Sequence, residues 1–430
     1  MRIAILGGGF NPIHLGHLYL ADTVLSLGFV DRVVFVPAYR SPLKLAAKGM
    51  EKSANDRLLM IAVSIAGNPR LSLDACEINR EGTSYTIDTL EDIITRYCPD
   101  GKPSLIIGDD LAPEFPKWNK YEKITKLADV IIARRNAKTE IKYPFQNIQI
   151  TNDVLDISSA MVRERINDGS DWRSLVPEAV CNIIEDRQLY GLTAGCSDKR
   201  EHSDENPGKC AIIPGKCAIK KENGLPELTH SMQASINEPR NAVILRIEEA
   251  VRENTGFQRF LHSRNTAVLA WDLCRHFGLD PDLGYLAGIA HDLAKTIKAD
   301  ILFELVKNDG YGISKLEMSK PSLLHGRASA VLLKEQFNIH NEDVLEAVAF
   351  HTGGREGMCQ LAKVVYIADK LEVTRDGVDP DMRKMCYKEK NLDSLLFTVL
   401  ENTISGLQTK KLELSEDTFK LLARMKEKNI

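Results

Sequence analysis

Apolar residues come in short unbroken runs in the first part of the chain and at helical spacing in the second. Arg2-Ile3-Ala4-Ile5-Leu6, Arg32-Val33-Val34-Phe35-Val36-Pro37, Ser104-Leu105-Ile106-Ile107-Gly108 and Asp129-Val130-Ile131-Ile132-Ala133 predict buried strands. Amphipathic stretches from Leu15 to Leu27, Asn55 to Ala66 and Ser84 to Cys98 predict helices between them. Continuous apolar strands alternating with helices require a parallel sheet covered on both faces, so residues 1–193 are expected to form an α/β domain. From residue 239 to 430 the strand pattern is gone. Helical periodicity runs through Asn241 to Glu253, His262 to Phe277, Leu283 to Lys295, Ala299 to Lys307, Leu324 to Phe337, Asp343 to His351, Met358 to Val373 and Leu392 to Leu407. Gly278, Gly310 and Gly406 are expected near helix ends, and the second domain is expected to be all-α.

Residues 194–238 fit neither pattern. Gly, Pro, Ser, Asn, Lys and Glu dominate, and Pro207-Gly208-Lys209-Cys210-Ala211-Ile212 is repeated as Pro214-Gly215-Lys216-Cys217-Ala218-Ile219. Too little apolar surface is present to offset the entropy of ordering, which predicts a flexible linker between the two domains. Cys196, His202, Cys210 and Cys217 lie here, but their spacing matches no CxxC zinc pattern.

A chain of 430 residues is long enough for two such cores. Its 56 basic and 60 acidic residues give a net charge of -4, which argues against a broad nucleic-acid surface. No apolar run approaches the roughly 20 residues of a membrane span. Met1 to Leu6 leads directly into the first strand and does not read as a signal peptide. Nine cysteines, an odd and scattered set, fit free thiols in a reducing cytosol. A cytoplasmic protein with no nucleic acid and no membrane partner is expected. A homo-oligomer remains open.

The first strand runs into Gly7-Gly8-Gly9-Phe10-Asn11-Pro12-Ile13-His14-Leu15-Gly16-His17. Consecutive glycines let backbone approach a phosphate, and the following helix offers free N–H groups and the positive end of its dipole. His14 and His17 are placed to donate hydrogen bonds to a phosphoryl centre as it gains charge. The segment resembles the HxGH signature of the nucleotidyltransferase superfamily, which implies a Rossmann-like parallel sheet. Ile157-Ser158-Ser159-Ala160-Met161-Val162-Arg163 resembles that superfamily's ISSTxxR motif, with Ala160 in place of the usual Thr. The resemblance is closest to bacterial nicotinate-nucleotide adenylyltransferase, carried by Gly82-Thr83-Ser84-Tyr85-Thr86-Ile87-Asp88-Thr89-Leu90, Ile107-Gly108-Asp109-Asp110, Trp118 and Ala133-Arg134-Arg135. It implies ATP bound by Gly7, Gly8, Gly9, Phe10, His17, Gly108, Asp110, Ile157, Ser158, Ser159 and Arg163. Nicotinate mononucleotide would be held by Tyr85, Thr86, Trp118 and Arg134. Mg²⁺ would accompany ATP, with His14, His17, Lys44 and Arg163 serving the transfer. Pro42-Leu43-Lys44 departs from the family's Pro-His-Lys, so Lys44 stands without the preceding His.

In the second part, His262, His291-Asp292, His325, His351 and Asp369 recur along predicted helices. A buried carboxylate without a partner is costly, and a cation removes that cost. Imidazole and carboxylate ligands without thiolate suit Fe, Mn or Zn, and more than four ligands argue for two ions. His276, His230 and His340 read as ordinary histidines. The ordered set resembles the HD phosphohydrolase superfamily, and most closely the bacterial HD-domain symmetrical diadenosine tetraphosphate hydrolases. Phe260-Leu261-His262-Ser263, Ala290-His291-Asp292-Leu293-Ala294-Lys295, Leu324-His325-Gly326, Phe350-His351-Thr352-Gly353-Gly354 and Tyr366-Ile367-Ala368-Asp369-Lys370-Leu371-Glu372-Val373-Thr374-Arg375 carry it. The resemblance implies a di-iron centre. His262, His291, Asp292 and Asp369 would hold one ion, His325 and His351 the second, with Asp292 bridging. Lys295 and Arg375 would neutralise the polyphosphate. Alternatives are a nicotinamide mononucleotide or pantetheine phosphate adenylyltransferase joined to another HD nucleotidase, or to a non-catalytic nucleotide sensor.

Overall fold

The structure, a computed structural model, describes residues 1–42, 54–134, 142–151, 157–192 and 242–427. The expected linker, Lys44 and His230 lie outside them. Among the described residues six parallel strands form one sheet: β1 (Ile3–Gly8), β2 (Arg32–Pro37), β3 (Leu71–Leu73), β4 (Ser104–Gly108), β5 (Asp129–Arg134) and β6 (Ile148–Thr151). Their order is β3-β2-β1-β4-β5-β6. Side chains alternate faces along each strand, and both sets are apolar. Ala4, Leu6, Val33 and Phe35 pack on one face, and Ile3, Ile5, Val34 and Val36 on the other. β3 and β6, at the edges, were not anticipated; with three and four residues they are too short to stand out as apolar runs.

β1 pairs with β2 on one side and β4 on the other, and the chain turns outward in opposite directions from this pair. Such a reversal leaves a crevice at the C-terminal ends of the strands, where ligands bind in open α/β sheets. The helices that frame it are α1 (Leu15–Ser26), α2 (Ala54–Ser64), α3 (Thr86–Tyr97) and α4 (Ser159–Asp168).

The region after residue 241 is helical. Its central elements are α5 (Phe257–His276), α6 (Pro281–Ala290), α7 (His325–Phe337), α8 (Glu342–Phe350), α9 (Gln360–Leu371) and α10 (Pro380–Lys388). α10 was not expected, nor were the helices Lys315–Ser319 and Glu416–Glu427, whose faces are largely polar. Gly406 does not end a helix: it sits inside Leu392–Thr409. Gly310 lies beyond the end of Ala299–Val306 rather than at its cap. A Cβ on Gly288 would fall 2.5 Å from Ala267 Cα, so only glycine lets α6 lie against α5 at this separation.

Buried polar groups join the two regions. Arg264 of α5 is completely buried, and its Nη2 donates to the carbonyls of Ile65, Asn68 and Leu71 at 2.8, 3.2 and 3.0 Å. Arg32 of β2 and Asp272 of α5 form a buried two-bond ion pair at 2.9 Å. The N–H of Gly67 donates to Glu248 Oε1 at 3.1 Å. These bonds cross between the regions, and several of the groups are anchored at home as well: Asp272 Oδ2 also accepts from Tyr387 Oη at 3.3 Å, and Glu248 Oε1 from Tyr285 Oη.

Asp272→Ala leaves the Arg32 guanidinium buried and unpaired, and breaking a buried pair in this way costs about 3–5 kcal/mol. Urea unfolding of the full-length protein is expected to shift to a lower midpoint by that amount. An unchanged midpoint would mean that the regions do not rely on this contact.

Candidate active sites

At the end of β1 the backbone turns sharply. His14 is the N-cap of α1, and its N–H donates to His17 Nδ1 at 3.3 Å in a reciprocal capping arrangement. The two rings stack with centroids 3.7 Å apart, and the Phe10 ring meets His17 at 4.8 Å. Gly16 leaves room for this stack: a Cβ there would press on His14 Nδ1 at 3.1 Å. A Cβ on Gly7 would meet nothing within 4 Å, which leaves open space over the turn. Arg57, buried in α2, donates to Gly9 O at 2.8 Å and holds the turn from behind.

α4 closes on the same turn. Ser158 is its N-cap, accepting from the N–H of Met161 at 3.1 Å. Ser159 Oγ donates to Pro12 O at 2.9 Å, and Arg163 donates to Asn11 O at 2.6 Å and to Ser159 O at 3.0 Å. Ile157 O lies 3.8 Å from where a Gly16 Cβ would be. Tyr190 Oη donates to Asn11 Oδ1 at 2.8 Å. Phe10, His14, His17, Ile157, Ser158, Ser159 and Arg163, far apart in sequence, thus meet at one turn. Arg57 and Tyr190 were missed. Arg57, beside Asp56 at the start of α2 and just before the apolar run Leu58-Leu59-Met60-Ile61, looks like a solvated helix-end charge, and Tyr190 offered no signal.

The other expected residues of this region also sit at the C-terminal ends of strands or beside them. Gly108 ends β4, with the Asp110 carboxylate folded so closely over it that a Cβ would lie 2.3 Å from Oδ1. Buried Arg134 ends β5. Tyr85 is the N-cap residue of α3 and Thr86 its first residue. Trp118 packs edge-on against Phe115 at 5.1 Å, and its indole Nε1 is buried without an acceptor. Tyr85 and Trp118 flank the same apolar cluster on one face of the sheet.

In the helical region His262, His291, Asp292, His325, His351 and Asp369 converge. His291 follows the last residue of α6, His351 follows the last of α8, and His325 begins α7. Each directs Nδ1 at a backbone carbonyl: Gly288 O at 2.7 Å, Val348 O at 2.8 Å and Ser322 O at 2.6 Å respectively. A carbonyl only accepts, so Nδ1 carries the proton and Nε2 of each neutral ring presents a lone pair. Those of His325 and His351 face one another, and that of His291 faces the His262 ring. His262 Nε2 lies 3.2 Å from His291 Nε2, and His325 Nε2 lies 3.1 Å from His351 Nε2. Asp292 stands between the pairs. Its Oδ2 is 3.9 and 3.7 Å from His262 and His291, and its Oδ1 is 2.9 and 3.7 Å from His325 and His351. Asp369 Oδ1 lies 3.1 Å from His262 Nε2.

Burial pushes the His291 imidazole down to about 4 and that of His351 well below its ordinary value. Both are therefore neutral and able to ligate near pH 7. Burial opposes ionisation of Asp369, but Lys370, His262, His291 and Arg375 overcome it and hold its carboxyl well below the usual range. For Asp292 burial is likewise outweighed, by His291, His325, His351 and Lys295. Burial also works against a charged His262, yet hydrogen bonds to Asp369 and Glu372 raise its pKa, and an arriving cation would displace that proton. Asp292 Oδ1 is buried with no hydrogen bond of good geometry. Facing lone pairs and an orphaned carboxylate oxygen are the donor set of a divalent cation, arranged as two groups that share Asp292.

Cations line the rim. Lys295 Nζ lies 3.3 Å from Asp292 Oδ1 and 3.0 Å from His325 Nε2, and Arg375 pairs with Asp369. Arg259, with Nη1 2.7 Å from Asp292 Oδ2, and Lys370, with Nζ 2.7 Å from Asp369 Oδ2, were not singled out from the sequence. As charges near helix ends they look like solvated surface. His276 and His340 are ordinary, as expected, bonding Glu389 O and Asn338 Oδ1.

Comparison with known proteins gives two family models. A cytidylyltransferase-like model matches residues 5–165 and an HD domain model matches residues 259–374. A probable nicotinate-nucleotide adenylyltransferase of Borreliella afzelii is 36% identical over 190 residues, covering 44% of this chain and 97% of the relative. One from Geobacillus kaustophilus is 34% identical over 204 residues, covering 47% and 92%. Among solved structures, a Clostridium acetobutylicum protein named as a predicted HD superfamily hydrolase involved in NAD metabolism is 31% identical, with a TM-score of 0.40, covering 43% of this chain and 96% of that one.

If the converging nitrogens and carboxylates are a cation site, Mn²⁺ at 100 times its dissociation constant should raise the unfolding free energy of the metal-free protein by about 2.7 kcal/mol for each ion bound. Asp292→Ala, which removes an oxygen from both ligand groups, should abolish that gain in a thermal unfolding experiment. A gain that survives the substitution would place the ion elsewhere.

Proposed function

We propose, for a chain that belongs to the nicotinate-nucleotide adenylyltransferase family and carries an HD domain after it, two reactions on adenosine phosphates. In the first, the phosphate of nicotinate mononucleotide attacks the α-phosphorus of Mg²⁺-bound ATP in line. A new phosphoanhydride bond forms, the bond to the β-phosphate breaks, and pyrophosphate leaves. The observation that supports this reading is the stacked His14 and His17 pair at the strand-order reversal, laced to the capped start of α4. His14 and His17 donate to the phosphoryl oxygens as charge develops there, with no covalent intermediate. Gly7, Gly8 and Gly9 allow the backbone to approach the triphosphate. Ser158, Ser159 and the α4 N-terminus meet its oxygens, and Arg163 and Lys44 balance its charge. Phe10, Gly108, Asp110 and Ile157 complete the nucleotide's surroundings. Tyr85, Thr86, Trp118 and Arg134 hold the pyridine carboxylate and its ring.

In the second reaction diadenosine tetraphosphate is split by water into two ADP. Two bound cations, iron by resemblance, would bring a shared water to a near-neutral pKa and hold the attacked phosphate. His262, His291, Asp292 and Asp369 surround one position and His325, His351 and Asp292 the other. Lys295 and Arg375 stand at the rim, where they meet the polyphosphate. The facing Nε2 lone pairs are the observation on which this half rests.

A product assay on the full-length protein tests both. With ATP, Mg²⁺ and nicotinate mononucleotide it should yield nicotinate adenine dinucleotide and pyrophosphate; preference for nicotinamide mononucleotide or pantetheine phosphate would overturn that assignment. With diadenosine tetraphosphate and Fe²⁺ or Mn²⁺ it should yield ADP alone. Inert substrate would favour a sensor, and AMP with ATP would refute symmetric cleavage.

Gly16→Ala should separate chemistry from folding. The added methyl crowds His14 Nδ1 at 3.1 Å and shifts the ring by a few tenths of an ångström, so turnover should fall, by less than the ~10²-fold that a misplacement of about 1 Å costs. Alanine favours helix over glycine by about 1 kcal/mol, so the melting temperature should hold or rise. Unchanged turnover would remove the ring pair from the chemistry.

A further inference from the structure

Three of the four imidazoles at the metal centre are aimed by backbone. His291, His325 and His351 stand at helix ends, and each donates Nδ1–H to a carbonyl three residues earlier. His262 has no such partner. It lies inside α5, where the preceding carbonyls are already engaged in the helix ladder. Its Nδ1 faces Glu372 Oε1 at 3.1 Å instead.

We propose that Glu372 is the positioning residue of the His262 ligand, fixing its ring angle and its Nε2 lone pair for one of the two cations. The role rests on the metal-centre reading above. Glu372 is 1% exposed and directly follows α9, three residues after Asp369, so the orienting carboxylate and the ligand carboxylate share one element end. Its own geometry is held from several sides. Thr374 donates its N–H to Oε2 at 2.6 Å and its hydroxyl to the same carboxylate at 2.7 Å. Arg383 of α10 donates to the carbonyls of Leu371 and Glu372 at 3.1 Å each and to Arg375 O at 2.7 Å. From the sheet region, Arg96 at the end of α3 reaches the next carbonyl, Val373 O, at 3.4 Å. A carboxylate accepts and never donates when ionised, so it selects the Nδ1–H tautomer of His262 and makes Nε2 a stronger donor to a metal. No covalent step is involved; Glu372 does not touch substrate.

The test is calorimetric titration of metal-free full-length protein with Mn²⁺ alone. Loss of an orienting partner of this kind typically weakens metal binding about 10–100-fold. Glu372→Gln should show that loss for one of the two ions, with the other retained. Thr374→Val, which loosens Glu372 without touching its charge, should weaken the same ion less, and it serves if Glu372→Gln fails to fold by circular dichroism. Equal affinities in wild type and both variants would overturn the role. So would equal weakening of both ions, the mark of a general structural effect. Wild-type protein that takes up no Mn²⁺ would instead overturn the metal centre itself.

Discussion

A buried volume ringed by lone pairs must be balanced by positive charge, and the helical region of this protein is arranged around that demand. Asp292 and Asp369 are both buried, and four imidazole nitrogens share their space. Arg259, Lys295, Lys370 and Arg375 approach the two carboxylates from the rim, and Lys295 Nζ also reaches His325 Nε2 at 3.0 Å. The nucleotide turn of the sheet region solves a related problem differently. Under the proposed transfer the negative charge arrives with the substrate, and imidazoles, glycine-turn amides, helix starts and the Arg163 cation would meet it there.

Both solutions depend on backbones lying closer than ordinary side chains permit. Gly288 brings α6 against α5, and a Cβ on Gly326 would lie 2.7 Å from Ala349 O, which brings α7 against α8. Those contacts carry His291 toward His262 and His325 toward His351. Gly16 plays the same part for His14 and His17. The ligand residues set the chemistry, but the glycines set the distance at which it can act.

Much of this was legible in the chain. Four strands, each a continuous apolar run, announced the parallel sheet, and helical spacing announced the second region. The residues at the two sites were found because they recur in motifs with a resemblance behind them. What was hidden has a common physical cause. β3 and β6 are too short to form a pattern, and Gly406 looks like a helix end although the helix runs on one turn to Thr409. The contact between regions was invisible because Arg32, Arg264 and Asp272 are charges that look solvated until the opposing surface is known. Glu372 and Arg57 belong to the same class: buried charges whose partners are remote in sequence.

Arg264 has one further implication, for how such a chain could arise or be divided. Its guanidinium is matched to three carbonyls presented by the segment from Ile65 to Leu71. Severing the gene between the regions would leave a helix with a charged group set in an apolar face and a loop with three carbonyls turned outward. Neither product would be ruined, since water can take up both, but each would carry a surface shaped for an absent neighbour. Covalent fusion keeps that neighbour at high local concentration. Selection on the joined chain can therefore act on the seam itself, independently of either active site.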